Sequence, residues 1–148
     1  MAALLFVAHA PLASTLRSVA QHAYTDCAGT VAAVDVEPST SLEAAEAQIQ
    51  AALALLPPGE VLILTDVFGA TPCNAALNVV DGVQTRVVAG VNVPMLWRTL
   101  CYAQLPLAEL VARAVDGGRQ GIMQVAPPRR QNQTNRPQPH DPDANPDQ

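Results

Sequence analysis

The sequence predicts an α/β fold, a three-layer arrangement in which an open, mostly parallel sheet of four strands carries helices on both faces. Short apolar runs, typical of strands that are buried on both faces, alternate along the chain with longer segments of helical periodicity. The spacing of these segments fits right-handed βαβ crossovers. The chain has 148 residues, of which 49% are hydrophobic, and this is enough for one domain with a substantial core.

The strands are recognised by short apolar runs between turn residues. They are expected at residues 3–8, 31–36, 61–65 and 85–89. A further short strand is expected at residues 121–125. It would close the edge of the sheet either in its own subunit or in a second copy of the chain.

The helices follow each strand and show apolar positions at helical spacing. They are expected at residues 12–24, 42–56, 71–80 and 95–104, and from Pro106 to about Val115. Thr71 is expected to cap the third helix, because Thr is a good N-cap and Pro is favoured at the first helical position. Gly117 and Gly118 are expected to end the last helix.

The composition separates a folded domain, residues 1–126, from a tail, residues 127–148, that is rich in Pro, Asn and Gln. The tail has almost no apolar residues and is predicted to be disordered.

Charge and cysteine usage exclude several functional classes. The net charge is -5, and the basic residues are all Arg, so nonspecific nucleic-acid binding is not expected. No apolar run approaches the roughly 20 residues of a membrane span, and Met1-Ala2-Ala3 lacks the basic start of a signal peptide. The cysteines, Cys27, Cys73 and Cys101, are too widely spaced to suggest zinc. We therefore expect a cytoplasmic protein without a metal or other cofactor.

Two strand ends carry residues suited to chemistry. Asp66 follows the strand at residues 61–65, and His9 ends the first strand. The carboxyl ends of parallel strands form the ligand-binding edge of open α/β sheets, so the two side chains are expected to converge there. A carboxylate that accepts from one ring nitrogen fixes the imidazole tautomer and leaves the other nitrogen free to act as a nucleophile.

The turn after Asp66 is suited to an anion. Gly69 and Ala70 are small enough for close backbone approach, and Thr71 opens a helix whose first amides favour phosphate. Taken singly, these residues have simpler explanations, since a strand-end His is often only a polar tip and a strand-end Asp often only caps a helix. Together they predict a phosphoryl site with His9 and Asp66 in the catalytic roles.

A partner surface is expected around His9, with Pro11, Phe68 and Met95 as its apolar members. Asn92 follows the fourth strand and is placed on the same rim. A simple helix cap by Asn92 ahead of Pro94 is at least as good an explanation of that residue.

Three ordered motifs support a family resemblance. They are Ala8-His9-Ala10-Pro11-Leu12-Ala13, the stretch from Thr65 to Ala76, and Val88-Ala89-Gly90-Val91-Asn92-Val93-Pro94-Met95-Leu96. Across residues 2–125 the sequence resembles the IIA component of the mannose family of the bacterial phosphotransferase system. The resemblance implies that His9 takes a phosphoryl group from phospho-HPr and passes it to a IIB protein. It also implies that Asp66 orients His9, that Thr71 faces the phosphate, and that the protein is a homodimer.

The sequence departs from the family pattern in two places and leaves other functions open. Ala10 stands where relatives usually have Gly, and Phe68 where they have Trp. No IIB domain follows in this sequence, so the acceptor is expected on a separate chain or is absent. Alternative functions are a regulatory sensor of phosphorylation state and the phosphoryl-donor subunit of a dihydroxyacetone kinase. An unrelated phosphatase or mutase is disfavoured, because no Arg falls in the three motifs.

Overall fold

The computed structural model describes residues 1–27 and 29–129, and in them four strands form one parallel sheet in the order β2-β1-β3-β4. The strands are β1 (Ala3–His9), β2 (Val31–Val36), β3 (Val61–Thr65) and β4 (Thr85–Ala89). These bounds confirm the predicted strands, and every pair of neighbours is parallel. The order places β1 and β3 side by side at the centre, so the ends of these two strands meet.

The helices cover both faces of the sheet, which confirms the predicted fold class. They are α1 (Leu12–Ala23), α2 (Leu42–Leu55), α3 (Thr71–Val79), α4 (Val93–Cys101) and α5 (Leu107–Gln120). The helices α1, α4 and α5 pack on one face, and α2 and α3 pack on the other. Within the described residues, none of the helices combines the length and the apolar character that crossing a membrane requires.

The core is divided by β1, which is buried from Ala3 to Ala8. Alternate residues point to opposite faces, because successive side chains of a strand do so. Leu4 and Phe6 contribute to the layer beneath α1, and Leu5 and Val7 to the layer beneath α2. His9, the last residue of β1, is exposed at the end of this buried strand.

The last helix is longer than predicted, because its glycines serve helix packing. α5 continues through Gly117 and Gly118 to Gln120, so the prediction of a helix end near Val115 was wrong. A Cβ atom on Gly117 would lie 2.6 Å from Cβ of Arg98, and one on Gly118 would lie 2.7 Å from Cε of Met95. The two glycines let α5 approach α4 closely, and this packing outweighs the low helix propensity of Gly.

The expected strand at residues 121–125 is not formed in the single chain. Gly121 is the C-cap of α5, and residues 122–129 have no regular secondary structure. A strand needs a neighbour for its backbone hydrogen bonds, and this segment pairs with neither edge of the sheet. Most of the predicted tail, residues 130–148, lies outside the described residues.

Candidate functional site

The ends of β1 and β3 bring His9 and Asp66 into contact. Nδ1 of His9 lies 2.6 Å from Oδ2 of Asp66. The register explains the contact: Val7 pairs with Thr65, so the last two residues of β1, Ala8 and His9, lie beside Asp66, which follows β3, at the carboxyl edge of the sheet. The His9 side chain is 51% exposed, whereas that of Asp66 is only 12% exposed.

The Asp66 carboxylate is held by three hydrogen bonds. Oδ2 also accepts from the backbone N–H of His9 at 2.9 Å, and Oδ1 accepts from the backbone N–H of Val67 at 2.9 Å. Burial raises the pKa of Asp66, but the bonds from the His9 N–H, the His9 ring and the Val67 N–H outweigh it and hold this pKa below the ordinary value of 3.8. Asp66 is therefore ionised at neutral pH.

An ionised carboxylate only accepts hydrogen bonds, so the neutral His9 ring must carry its proton on Nδ1. Nε2 then keeps its lone pair and belongs to a ring that is half exposed. The pair thus presents one nucleophilic nitrogen to an incoming group, and a negative charge lies behind the ring to balance a positive charge that develops on it.

The turn between β3 and α3 ends in a helix start without a side-chain cap. Ala70, not Thr71, is the N-cap of α3, since its carbonyl accepts from the N–H of Asn74 at 3.0 Å; the prediction of Thr71 as the cap was wrong. Thr71 is the first helical residue and is partly buried. Gly69 has φ +90°, a conformation that favours glycine.

Among the helices of the described residues, α3 differs from the others at its N-terminus. In each of the other four α-helices a first-turn N–H donates to a side-chain oxygen. The acceptors are the N-cap residues Ser41 on α2 and Asn92 on α4, and residues from other segments on α1 and α5, namely Asp35 and Glu60. α3 has none. Pro72 has no N–H, so the N–H groups of Thr71 and Cys73 are the ones suited to an anion here, next to the turn that carries Asp66.

Main-chain hydrogen bonds fix this edge of the sheet. Gly90 N–H donates to the Asp66 carbonyl at 3.1 Å, and Val91 N–H donates to the Thr65 carbonyl at 3.0 Å. Ala10 N–H donates to the Val36 carbonyl at 3.0 Å, and the Ala10–Pro11 peptide bond is cis. The residues around His9 and Asp66 are therefore held by the backbone as well as by their own side chains.

An apolar rim is exposed beside the site, but not with all of its expected members. Phe68 is 77% exposed and Val67 49%, and Pro11 is also exposed. Met95 is buried at 4% exposure within the core, so its assignment to the surface was wrong. Asn92 acts as a cap: its Oδ1 accepts from Met95 N–H at 2.9 Å, and its Nδ2 donates to the Gly118 carbonyl at 3.0 Å.

Asp35 was missed as a residue of this edge. It lies in β2 beside Ala8, and its Oδ1 accepts from the backbone N–H of Ser14 at 2.9 Å. The signal in the sequence was an acid within an otherwise apolar strand, Val31–Val36. Within the described residues, no group of three or more His, Cys, Asp and Glu side chains is placed to hold a metal ion.

The fold and the site together define a parallel α/β domain with a His–Asp pair at the carboxyl edge of its sheet. The family model for the PTS system fructose IIA component matches residues 3–115. The chain belongs to this family, the mannose-type IIA components of the phosphotransferase system. IIA components are in general phosphotransferases of sugar phosphotransferase systems.

Named relatives agree with this assignment. The chain is 41% identical over 93 residues to the PTS system mannose-specific EIIAB component of Escherichia coli strain K12; the match covers 60% of this chain and 29% of that protein. The chain thus spans less than a third of the length of that relative. The corresponding protein of Shigella flexneri gives the same identity.

Solved structures show the same fold. The mannose/sorbose specific IIA subunit from Enterococcus faecalis superposes with a TM-score of 0.75 at 24% identity, over 86% of this chain and 96% of that chain. The phosphotransferase component EIIA from Streptococcus agalactiae gives a TM-score of 0.73 at 20% identity, over 84% and 97% of the two chains.

Proposed function

We propose that this protein is a cytoplasmic phosphocarrier that accepts a phosphoryl group from phospho-HPr on Nε2 of His9 and passes it to a IIB protein. The observation that carries the proposal is the 2.6 Å contact between Nδ1 of His9 and Oδ2 of Asp66, with the imidazole half exposed. Membership of the IIA family supports the chemistry. The EIIAB relatives in E. coli support a IIB acceptor.

The transfer step needs only the His9 ring and the donor. The Nε2 lone pair attacks the phosphorus of the donor phosphohistidine; a new N–P bond forms as the old one breaks, and its electron pair returns to the donor imidazole. The His9 ring becomes positively charged while Nδ1 keeps its proton. Asp66 stabilises that charge through the hydrogen bond it already makes, so little reorganisation is required.

The phosphoryl oxygens are assigned to the start of α3. Gly69 and Ala70 lead the backbone to this helix start, and Thr71 adds a hydroxyl at its first position. The absence of a side-chain cap on α3, in contrast to the capped helices of the described residues, supports this role. Preorganised N–H groups are well suited to the loose, highly charged transition state of phosphoryl transfer.

The donor and the acceptor would dock on the rim formed by Pro11, Val67 and Phe68. All three are exposed close in sequence to His9 or Asp66, and the exposure of Val67 and Phe68 is informative because Val and Phe side chains are more often buried. A rim of this kind excludes water from the two imidazoles while the phosphoryl group moves between them.

A homodimer is part of the same proposal. β4 is an edge strand, and a groove of roughly 440 Å³ lies between it and α5. Ile122 borders this groove in its own chain, and Ile122, Met123 and Val125, in the segment that follows α5, are 77%, 68% and 80% exposed. We infer that this segment of a second copy covers the groove.

Light scattering should give twice the monomer mass for the wild type and the monomer mass for the variant Ile122→Asp/Val125→Asp. A wild type that is monomeric would contradict the proposed dimer.

The experiment that tests the carrier function is an intact-mass measurement. The protein is incubated with phosphoenolpyruvate, enzyme I and HPr, and the wild type is compared with His9→Ala and with His22→Ala. His22 is exposed on α1 and is the matched control. One acid-labile phosphoryl group on the wild type and on His22→Ala, but not on His9→Ala, is the expected result. An unmodified wild type beside phosphorylated HPr would overturn the proposal.

A further inference from the structure

We propose that Asp35 is a positioning residue for phosphoryl acceptance by His9. This inference rests on the proposed function. Asp35 touches neither the imidazole nor Asp66 in the described contacts; its Oδ1 binds the backbone N–H of Ser14, 21 residues away, at 2.9 Å. It acts through the segment that joins His9 to α1.

Hydrogen bonds join the first turn of α1 to its N-cap residue, Pro11. The Ser14 and Thr15 hydroxyls donate to the Pro11 carbonyl at 3.1 Å and 2.8 Å, and Thr15 N–H donates to the same carbonyl at 3.2 Å. A displacement of Ser14 is therefore expected to displace Pro11, which lies two residues from His9 in the sequence.

Asp35 ties this turn to the sheet. Asp35 lies in β2 directly beside Ala8, and the next β2 residue, Val36, accepts the Ala10 N–H at 3.0 Å. The segment between His9 and Ser14 is thus fixed to β2 at two points and to Asp66 at a third. Without the Asp35 contact, the segment between His9 and Ser14 loses one of its two hydrogen bonds to β2 and keeps the Ala10–Val36 bond and the packing of α1. We expect a small displacement of Pro11 and α1 that alters the direction of Nε2 while the Asp66 contact persists.

The carboxylate also occupies the positive end of α1. A negative group is stabilised there by the helix dipole and by the first-turn N–H groups. Because Asp35 already binds a first-turn N–H of α1, an incoming anion beside His9 is expected to bind at the start of α3, which has no side-chain cap. Asp35 thereby helps to set both the direction of the nucleophile and the position of the group that it attacks.

The test compares Asp35→Ala and Asp35→Asn with a matched variant, Glu60→Ala. Glu60 is also a carboxylate that caps a helix from another part of the chain, at 3.1 Å to Leu107 N–H, but it lies at the opposite edge of the sheet. The readouts are the single-turnover rate of phosphorylation at saturating phospho-HPr, the thermal unfolding midpoint, and the nitrogen-15 spectrum of the His9 ring.

Asp35→Ala is expected to lower the saturating rate roughly tenfold to a hundredfold, the size of effect that a small misplacement of a reacting group produces. Its His9 ring should stay protonated on Nδ1, because the Asp66 contact is intact. Asp35→Asn should recover most of the rate, since an amide oxygen also accepts from Ser14 N–H. Glu60→Ala should lose thermal stability without losing rate.

A wild-type rate for folded Asp35→Ala overturns the inference, as does an equal loss of rate in Glu60→Ala. If Asp35→Ala does not fold, Asp35→Glu is measured in its place, because it keeps the negative charge but moves it by one methylene group. A slowed transfer in Asp35→Glu supports the positioning role, and an unchanged rate overturns it. A wild type that accepts no phosphoryl group instead overturns the proposed function and this inference with it.

Discussion

One oxygen of Asp66, Oδ2, accepts both the backbone N–H and the ring Nδ1 of His9, across 57 residues of sequence. The same carboxylate therefore holds the main chain at the end of β1 and the side chain that emerges from it. Four predictions depend on this arrangement, on the exposed rim and on the packing of α5 against α4.

Replacing Asp66 by Asn should slow phosphoryl acceptance by at least about a hundredfold, because the ring loses both its fixed tautomer and the charge that stabilises the phosphorylated imidazole. The rate is measured from phospho-HPr in single-turnover mode. Asp81→Asn is the control: Asp81 is an exposed carboxylate that accepts three backbone N–H groups in the turn before β4, away from His9. Equal rates in the two variants would contradict the role of Asp66.

The stability that Asp66 contributes should disappear in acid. Its pKa in the folded protein lies below the ordinary value of 3.8, so the unfolded chain binds that proton more readily. The contribution is complete above the unfolded value and is lost as the pH falls through the folded one. Urea unfolding should show the wild type to be more stable than Asp66→Asn at neutral pH, and the difference should shrink as the pH falls below 3.8. A difference that grows in acid would contradict the assignment.

Replacing Phe68 by Ala should affect binding more than folding. The side chain is 77% exposed, so the free energy of unfolding should change by less than about 0.5 kcal/mol. The concentration of phospho-HPr that gives half the maximal rate should rise several-fold. Val83→Ala, at 71% exposure in the turn before β4, is the matched control and should leave both quantities unchanged. Unaltered phospho-HPr dependence in Phe68→Ala would remove Phe68 from the partner surface.

Replacing Gly117 by Ala should destabilise the protein although it raises helix propensity. The new methyl group would lie 2.6 Å from Cβ of Arg98, an atom that rotation of the side chain cannot move away. Overpacking of this kind costs about 1–3 kcal/mol, more than the roughly 1 kcal/mol gained by replacing a helical Gly. Urea unfolding measures the net change in the free energy of unfolding, which combines the overpacking cost and the gain in helix propensity. Ala112→Gly, an exposed site on the same helix, provides the propensity term alone; a more stable Gly117→Ala would show that α4 and α5 can separate without cost.

The strands and the His9–Asp66 contact were open to prediction because both follow from local patterns. A strand buried on both faces is an uninterrupted apolar run, and parallel strands deliver their ends to one edge. β1 and β3 show this pattern, and the residue at the end of each was visible in the sequence.

The features that were missed depend on contacts between distant segments. Gly117 and Gly118 resemble a helix stop, and only the approach of α4 shows why helix continues through them. Asp35 caps α1 from β2. A cap is ordinarily sought a few residues before its helix in the sequence, so the sequence gave no sign of this one. Residues 121–125 have the composition of a strand, but whether they form one depends on a neighbour that the chain itself does not supply.

The double hydrogen bond to Oδ2 has a consequence for the newly made chain. A slip of β1 against β3 by one residue would separate Asp66 from both the N–H and the ring of His9, so a misaligned chain would carry its imidazole in either tautomer. Competence to react is thus acquired in the step that aligns the two central strands. On the proposed function, an unfinished or misfolded copy would be a slow acceptor of phosphoryl groups.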